Sequence, residues 1–205
     1  MNAKAERKER SHETILESAA KLLRQRGVAG ARVADVMSGA GLTVGGFYAH
    51  FASKEALIDD ALRRTGNQLR ERLFARLDEK PKEARAEIVL KRYLSAAHRD
   101  EFVSGCPFPA VVGEIGTTAP EHGKVLHEQI EATTEALAEH LPEAAVPRRY
   151  LALGLVALMY GGLSLSRALR GTELSDDVLK ACRALGTFAV RSGTAGPSPS
   201  LKRTG

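Results

Sequence analysis

The sequence predicts an all-α protein, and three observations carry that prediction. Glycine and proline divide the 205 residues into segments of helical length. Within them apolar residues return at i, i+3, i+4 and i+7, the spacing of one helix face. No stretch alternates apolar and polar residues with the period of two that a half-buried strand requires. A chain this long buries roughly 70% of its unfolded surface, so its core needs no disulfide staples. Two cysteines, Cys106 and Cys182, fit a reducing compartment better than a disulfide framework. Ten Phe and Tyr with no Trp argue against an aromatic-rich carbohydrate surface.

About nine helices follow in order. Ser11 can cap the first, which carries Ile15, Leu16, Ala19, Leu22 and Leu23 on one face and stops at Gly27. Val33–Gly39 is a short helix with Val33, Val36 and Met37 inward, interrupted by Gly39-Ala40-Gly41-Leu42. Thr43 can cap Val44–Phe51, and Ser53 begins a long helix to about Glu79. Pro81 marks a break before Lys82–Arg99, where Ile88, Val89, Leu90, Tyr93 and Leu94 are the apolar set. Gly105-Cys106-Pro107 opens a helix around Phe108–Ile115. Pro120 suits a first helical turn, and the helix it opens runs to Leu141. Pro142 and Pro147 bound a linker before Arg148–Arg170, apolar on nearly all sides and therefore buried or an interface. Ser175 or Asp176 caps the last helix, to about Arg191. Residues 193–205 are too poor in apolar side chains to fold and are expected to be disordered.

The charge is unevenly placed. The net +5 resolves into +3 on residues 1–52 and +3 on residues 191–205, with the long middle near neutral. Such a start fits an anionic partner or simply a solvated end. Met1–Arg10 is charged and lacks the apolar run of a signal peptide. The most apolar stretch, Leu151–Leu165, is shorter than the roughly 20 residues of a membrane helix. A soluble, cytoplasmic protein with no membrane partner is expected.

The functional signal lies between Val33 and Lys54: helix, tight glycine turn, second helix, then a basic helix start. This is the helix-turn-helix order, in which the first helix crosses the DNA backbone and the second enters the major groove. Spacing alone also describes an ordinary αα corner. Residue identities go further. The run Gly41-Leu42-Thr43-Val44-Gly45-Gly46-Phe47-Tyr48-Ala49-His50-Phe51-Ala52-Ser53-Lys54-Glu55-Ala56-Leu57 closely resembles the TetR family of bacterial transcriptional repressors. The likeness covers about Glu9–Leu69. Beyond that it rests on helix count and on Gly105-Cys106-Pro107, a turn found in part of the family.

The same residues have a physical reading. Thr43 can bond an orphan backbone N–H or a phosphate oxygen. Gly45 and Gly46 cost roughly 1 kcal/mol each in a helix but let it approach a groove closely. Phe47 and Phe51, four apart, are expected in the core against Leu22 and Leu23. Lys54 at a helix start suits a phosphate. The resemblance implies that Tyr48 and His50 reach the DNA backbone. Two departures stand out. Ala31-Arg32 replaces the family's usual Thr-Ser or Thr-Thr, removing a cap worth about 1 kcal/mol. Val44, often polar in the family, can touch a thymine methyl but cannot hydrogen-bond. Base reading is therefore expected to rest on Arg32 and on DNA shape rather than on many bidentate contacts.

The expected organisation is a three-helix DNA-binding domain over residues 9–69, with the helix-turn-helix at 32–51. A larger helical domain over 70–192 and the tail at 193–205 follow it. The resemblance implies that the larger domain binds a small effector and forms a homodimer, so that two recognition helices meet a pseudo-palindromic operator in double-stranded DNA. Tyr93, Phe102, Cys106, Phe108, Met159 and Tyr160 are the candidate pocket residues, each equally readable as plain core. Leu155, Leu158, Gly162, Val178, Cys182, Leu185 and Ala189 are the candidate interface, though periodicity alone also permits an internal seam. Gly161-Gly162 would admit a partner helix. Cys106 beside a helix start also permits a thiolate sensor of oxidants or electrophiles, against the plainer reading of a small buried residue. Enzyme motifs are lacking: there is no Gly-x-Ser-x-Gly, phosphate loop or dinucleotide fingerprint. His122 and His127 lie five apart, off one helix face, so neither a metal nor any other cofactor is expected. A helical ligand-binding protein without DNA binding is the competing class.

Overall fold

The computed structural model describes residues 3–101, 105–142 and 146–192. Among them are nine α-helices and two 3-10 helices, with no strand. The α-helices are α1 (Ala3–Gly30), α2 (Val33–Gly39), α3 (Lys54–Phe74), α4 (Lys82–Tyr93), α5 (Ala96–Asp100), α6 (Phe108–Ile115), α7 (Gly123–Ala138), α8 (Arg148–Ala168) and α9 (Glu173–Ser192). One 3-10 helix, Val44–Ala49, stands between α2 and α3, and the other, Pro120–His122, leads into α7. They gather into two compact units. Residues up to Arg72 join Asp100–Gln129 in the first; Leu73–Arg99 and the residues from Ile130 onward make the second. The division falls inside α3, whereas a linear split at residue 70 makes no provision for Asp100–Gln129 in the first unit.

Several boundaries differ from the sequence expectation. α1 starts at Ala3 rather than Ser11, because residues 3–10 are all Ala, Lys, Glu or Arg and nothing there opposes a helix. Gly27 does break it, at φ 68° and ψ −168°. α3 ends at Phe74, before Arg76 enters the left-handed region at φ 57°. The segment 82–99 is two helices. Leu94 leaves helical geometry at ψ 56°, and the Ser95 hydroxyl caps α5 by accepting from the His98 N–H at 3.1 Å. Neither Ser175 nor Asp176 caps α9, which begins at Glu173. Ser175 is buried, and its hydroxyl donates to the Ser166 carbonyl at 2.7 Å. The 193–205 tail lies outside the described residues.

In the first unit Ile15, Ala19, Leu23, Val36, Met37, Phe47, Leu57, Ile58 and Leu62 are buried, each large one stabilising by about 1.5–3 kcal/mol. In the second, α8 packs on α9, burying Leu155, Val156, Met159 and Leu163 with Leu179 and Val190. At 21 residues and mean hydropathy 1.4, α8 is by length and composition long enough to cross a membrane. That exceeds what Leu151–Leu165 alone suggests. Its apolarity has a local use, since one face is buried in the unit and Tyr150, Leu153 and Leu165 are exposed on the other.

Candidate nucleic-acid interface

The helix-turn-helix is anchored from inside. Ser18 on α1 donates to the Val36 carbonyl at 2.8 Å, and Gly39 permits this close packing, because a Cβ there would sit 2.4 Å from Ser18 Oγ. Gly41, at φ 70°, makes the turn, closed by Gly41 N–H to Ser38 O at 3.0 Å and Leu42 N–H to Met37 O at 2.9 Å. The second helix is then 3-10 over Val44–Ala49 rather than α over Val44–Phe51. Two adjacent glycines give it little α propensity. Phe47 and Phe51 are buried with ring centres 5.9 Å apart, and Phe51 also stacks on His12 at 4.5 Å. Leu22, expected beneath these rings, is only half-buried.

The other side faces solvent. Arg32, Thr43, Val44, Gly45 and Tyr48 are all exposed, Tyr48 by 78% and Val44 by 52%. An isolated globular unit gains nothing by exposing these two apolar side chains. A Cβ at Gly45 would meet nothing within 4 Å, so packing within the protein does not require glycine there. Thr43 makes no side-chain cap, and neither does Arg32 ahead of α2, which leaves both side chains turned to other uses. Gly46 and His50 are half-buried. His50 Nδ1 is buried with no hydrogen-bond partner. Burial, then the charges of His12 and Lys8, push its pKa below the ordinary histidine value.

Supporting residues missed by sequence reasoning complete the site. The Glu114 carboxylate on α6 accepts from Val28 N–H and Ala29 N–H, both at 2.9 Å. Those donors follow the Gly27 break and have no helical acceptor behind them, so Glu114 caps them from 85 residues away or more. Lys54 donates to the Val28 carbonyl at 3.2 Å, which anchors the ammonium expected at a phosphate. Arg24 Nε donates to the Gly105 carbonyl at 2.5 Å. Ser53 caps α3, accepting from Ala56 N–H at 3.2 Å and lowering the Glu55 pKa by a side-chain hydrogen bond. Backbone ahead of α2 is thus held without the missing Thr-Ser cap.

Comparison with known proteins places this geometry. Residues 15–61 match the model of the bacterial regulatory proteins of the tetR family. A 49-residue stretch is 45% identical to the HTH-type transcriptional repressor KstR2 of Mycobacterium tuberculosis, covering 24% of each chain. The match therefore spans about a quarter of that curated relative's length. A TetR transcriptional regulator from Chloroflexus aurantiacus superposes with TM-score 0.75 at 26% identity, over 91% of this chain and 96% of that one. Over residues 15–61 the chain is thus similar to the tetR family of bacterial regulatory proteins, and over most of its length it is similar in fold to a TetR regulator. The reduced form of NemR from E. coli shares its fold, with TM-score 0.72, 20% identity and coverage of 85% and 95%.

The candidate pocket residues fall in two different units. Tyr93, Met159 and Tyr160 are buried in the second unit, where the Tyr93 and Tyr160 rings stack at 5.9 Å. Cys106 and Phe108 are buried in the first unit, and Phe102 lies outside the described residues. Cys106 is 0% exposed, as the plainer reading of this thiol requires. Part of the candidate interface is spent on the contact between α8 and α9 within one chain. Leu155 is 2% exposed. A Cβ on Gly162 would lie 2.7 Å from Cys182 Sγ, and one on Gly186 would lie 3.3 Å from Leu158 Cδ2. Cys182, Val178 and Ala189 are half-buried, and burial raises the Cys182 thiol pKa. Leu185 alone of that set is strongly exposed, at 58%, and Gly161 rather than Gly162 faces outward. His122 has a structural partner: its Nδ1 lies 2.7 Å from Asp59 Oδ1.

Proposed function

We propose that the protein is a sequence-specific DNA-binding transcriptional regulator. It acts as a homodimer on a pseudo-palindromic duplex operator and represses until a small effector releases it. The observation that carries this reading is the exposed Val44–Tyr48 face on a rigidly seated helix-turn-helix. A glycine there that packing does not require, and a Val and Tyr bare to solvent, suit a surface that closes on a groove. KstR2, alike over the same segment, is named a repressor. Arg32 is the principal candidate for base contact, with Thr43, Tyr48, His50 and Lys54 directed to phosphate.

Dimerisation is supported by apolar surface left outside the second unit. Tyr150, Leu153, Ala157, Gly161 and Leu165 follow one face of α8, and Leu174, Ala181, Leu185 and Phe188 one face of α9. Apolar side chains aligned this way mark an interface. Two such chains would present two recognition helices about 34–36 Å apart, one DNA turn. An effector that favours another spacing releases the DNA through its differential affinity for the two states. Action on the chromosome implies a soluble, cytoplasmic protein without catalytic activity.

The test is titration of the purified protein against duplexes selected from a random library, at several salt concentrations. A regulator of this kind retains selected over scrambled duplex, and log K falls linearly with log salt by about 0.9 per phosphate contacted. Equal, salt-independent or absent binding to both duplexes refutes the proposal and favours a helical ligand-binding protein that has no use for DNA.

A further inference from the structure

The first two turns of α1 extend beyond its buried part, and all of their residues are exposed. Buried Ile15, Leu16, Ala19, Ala20 and Leu23 make the inward stripe of α1, with Ile15 and Ala19 along one edge of it. Stepping back along that edge by helical spacing reaches Ser11, Lys8 and Lys4, with Arg7 beside them. On this edge the extension carries three cations, all exposed. Glu9 and Glu13 fall on the other edge, in line with Leu16 and Ala20, and Glu13 is engaged by Arg64; Glu6 shares the outer side with Arg10. The segregation is one of position, not of overall charge.

The basic face also has a defined neighbour. Lys4, Arg7, Lys8 and Ser11 line one shallow depression together with His50, the residue that ends the recognition helix. The ring of His12, one turn further along the same face, lies 6.1 Å from that of His50 and stacks on Phe51. His50 Nδ1 is turned inward without a partner. The cations are thus held on the recognition-helix side by a rigid helix, not carried on a loose arm.

We propose that Lys4, Arg7 and Lys8 form a second DNA contact that extends the recognition helix's footprint onto the adjoining phosphate backbone. The inference rests on the DNA-binding reading above. Lysine and arginine on one helix face, spaced three and four residues apart, suit the regular negative charge of a duplex and carry no base-reading geometry. The extension contributes affinity and salt dependence uniformly across sequences, while discrimination stays with Arg32 and Val44–Tyr48.

The experiment compares wild type with the K4A/R7A/K8A variant on a selected operator duplex and a scrambled duplex, each of about 30 base pairs, three helical turns. All three positions are exposed, so the fold is retained, and a thermal melt checks it. The expected result is a salt slope shallower by about 5 for the variant on both duplexes, about 0.9 for each of three cations on each of two protomers, with the selected-to-scrambled ratio unchanged. An E6Q/E9Q control raises net charge by as much per carboxylate removed, away from the basic edge, and is expected to leave the slope as in wild type. Equal slopes for wild type and K4A/R7A/K8A, in a wild type that binds the operator, overturn the inference and leave the regulator reading standing. A slope that moves as much in E6Q/E9Q overturns it too, by showing that net charge and not a local contact is at work. A wild type that binds neither duplex removes the regulator reading and this inference with it.

Discussion

Replacing Glu114 by glutamine removes the charge that caps the break in α1. The wild-type carboxylate accepts two backbone N–H groups at 2.9 Å each, from Val28 and Ala29. A hydrogen bond to a charged group contributes about 1.5–3 kcal/mol, and a half-buried site takes the lower end. Two such bonds are therefore worth about 3 kcal/mol. Glutamine keeps one neutral bond of about 1 kcal/mol and turns its NH2 toward a second donor. The expected loss is about 2 kcal/mol for Glu114→Gln and about 3 kcal/mol for Glu114→Ala. For a chain of this size 2 kcal/mol lowers Tm by roughly 4–8 °C. Operator affinity is expected to fall as well, because the capped residues lead directly into Ala31 and Arg32 at the start of α2. Urea titration and operator binding measure the two effects, with the exposed Glu121→Gln as control. If both Glu114 variants stay within about 0.5 kcal/mol of wild type, the range of an ordinary surface substitution, the clamp has no energetic role.

Three further outcomes are expected. Gly45→Ala, at a position with open space and no positive φ, gains about 0.5–1 kcal/mol of stability yet weakens operator binding at least about tenfold. Unchanged affinity there would show that the glycine does not serve close approach to the groove. Phe188→Asp on the exposed α9 face makes the protein monomeric by sedimentation and weakens operator binding, with the monomer still folded; a variant that stays dimeric and fully active excludes this face from the interface. His140 has its pKa lowered first by burial, and its ring stacks on that of Phe74 at 5.5 Å. The unfolded chain therefore takes up the proton first as pH falls. This contribution is complete above the unfolded value near 6.5 and is lost as pH falls through it toward the folded value. His140→Phe keeps the stack, and its urea midpoint should drop less than wild type's between about pH 7.5 and 5.5; equal drops would count against a role for this histidine.

Much of the recognition unit is legible in the sequence because its causes are local. Gly41 makes the turn, Phe47 and Phe51 share a face four residues apart, and Ser53 caps the helix it precedes. Each depends on residues within one or two helical turns, so residue type and spacing carry the information. The same is true of helix order and of the Gly27 break. The start of α1 differs from the expectation at Ser11 because a good cap does not start a helix when strong helix formers precede it.

Tertiary structure decided what lies across from each face. A seam at Val178, Cys182, Leu185 and Ala189 is visible in the sequence, but periodicity describes one helix and not its partner. Packing turned Gly162 toward Cys182 within the chain and left Leu185 and Phe188 bare, which is why the proposed interface is built on those two. Nor does anything near Glu114 in sequence mark it as the cap of residues far upstream in α1. Its partners are backbone N–H groups, which every residue but proline possesses, so only the folded chain shows which of them lack an acceptor. By itself the sequence determined the all-α class, the order of most helices and the helix-turn-helix motif. The fold decided which apolar faces were already occupied and which carboxylate holds the motif in place, because both depend on contacts between residues far apart along the chain.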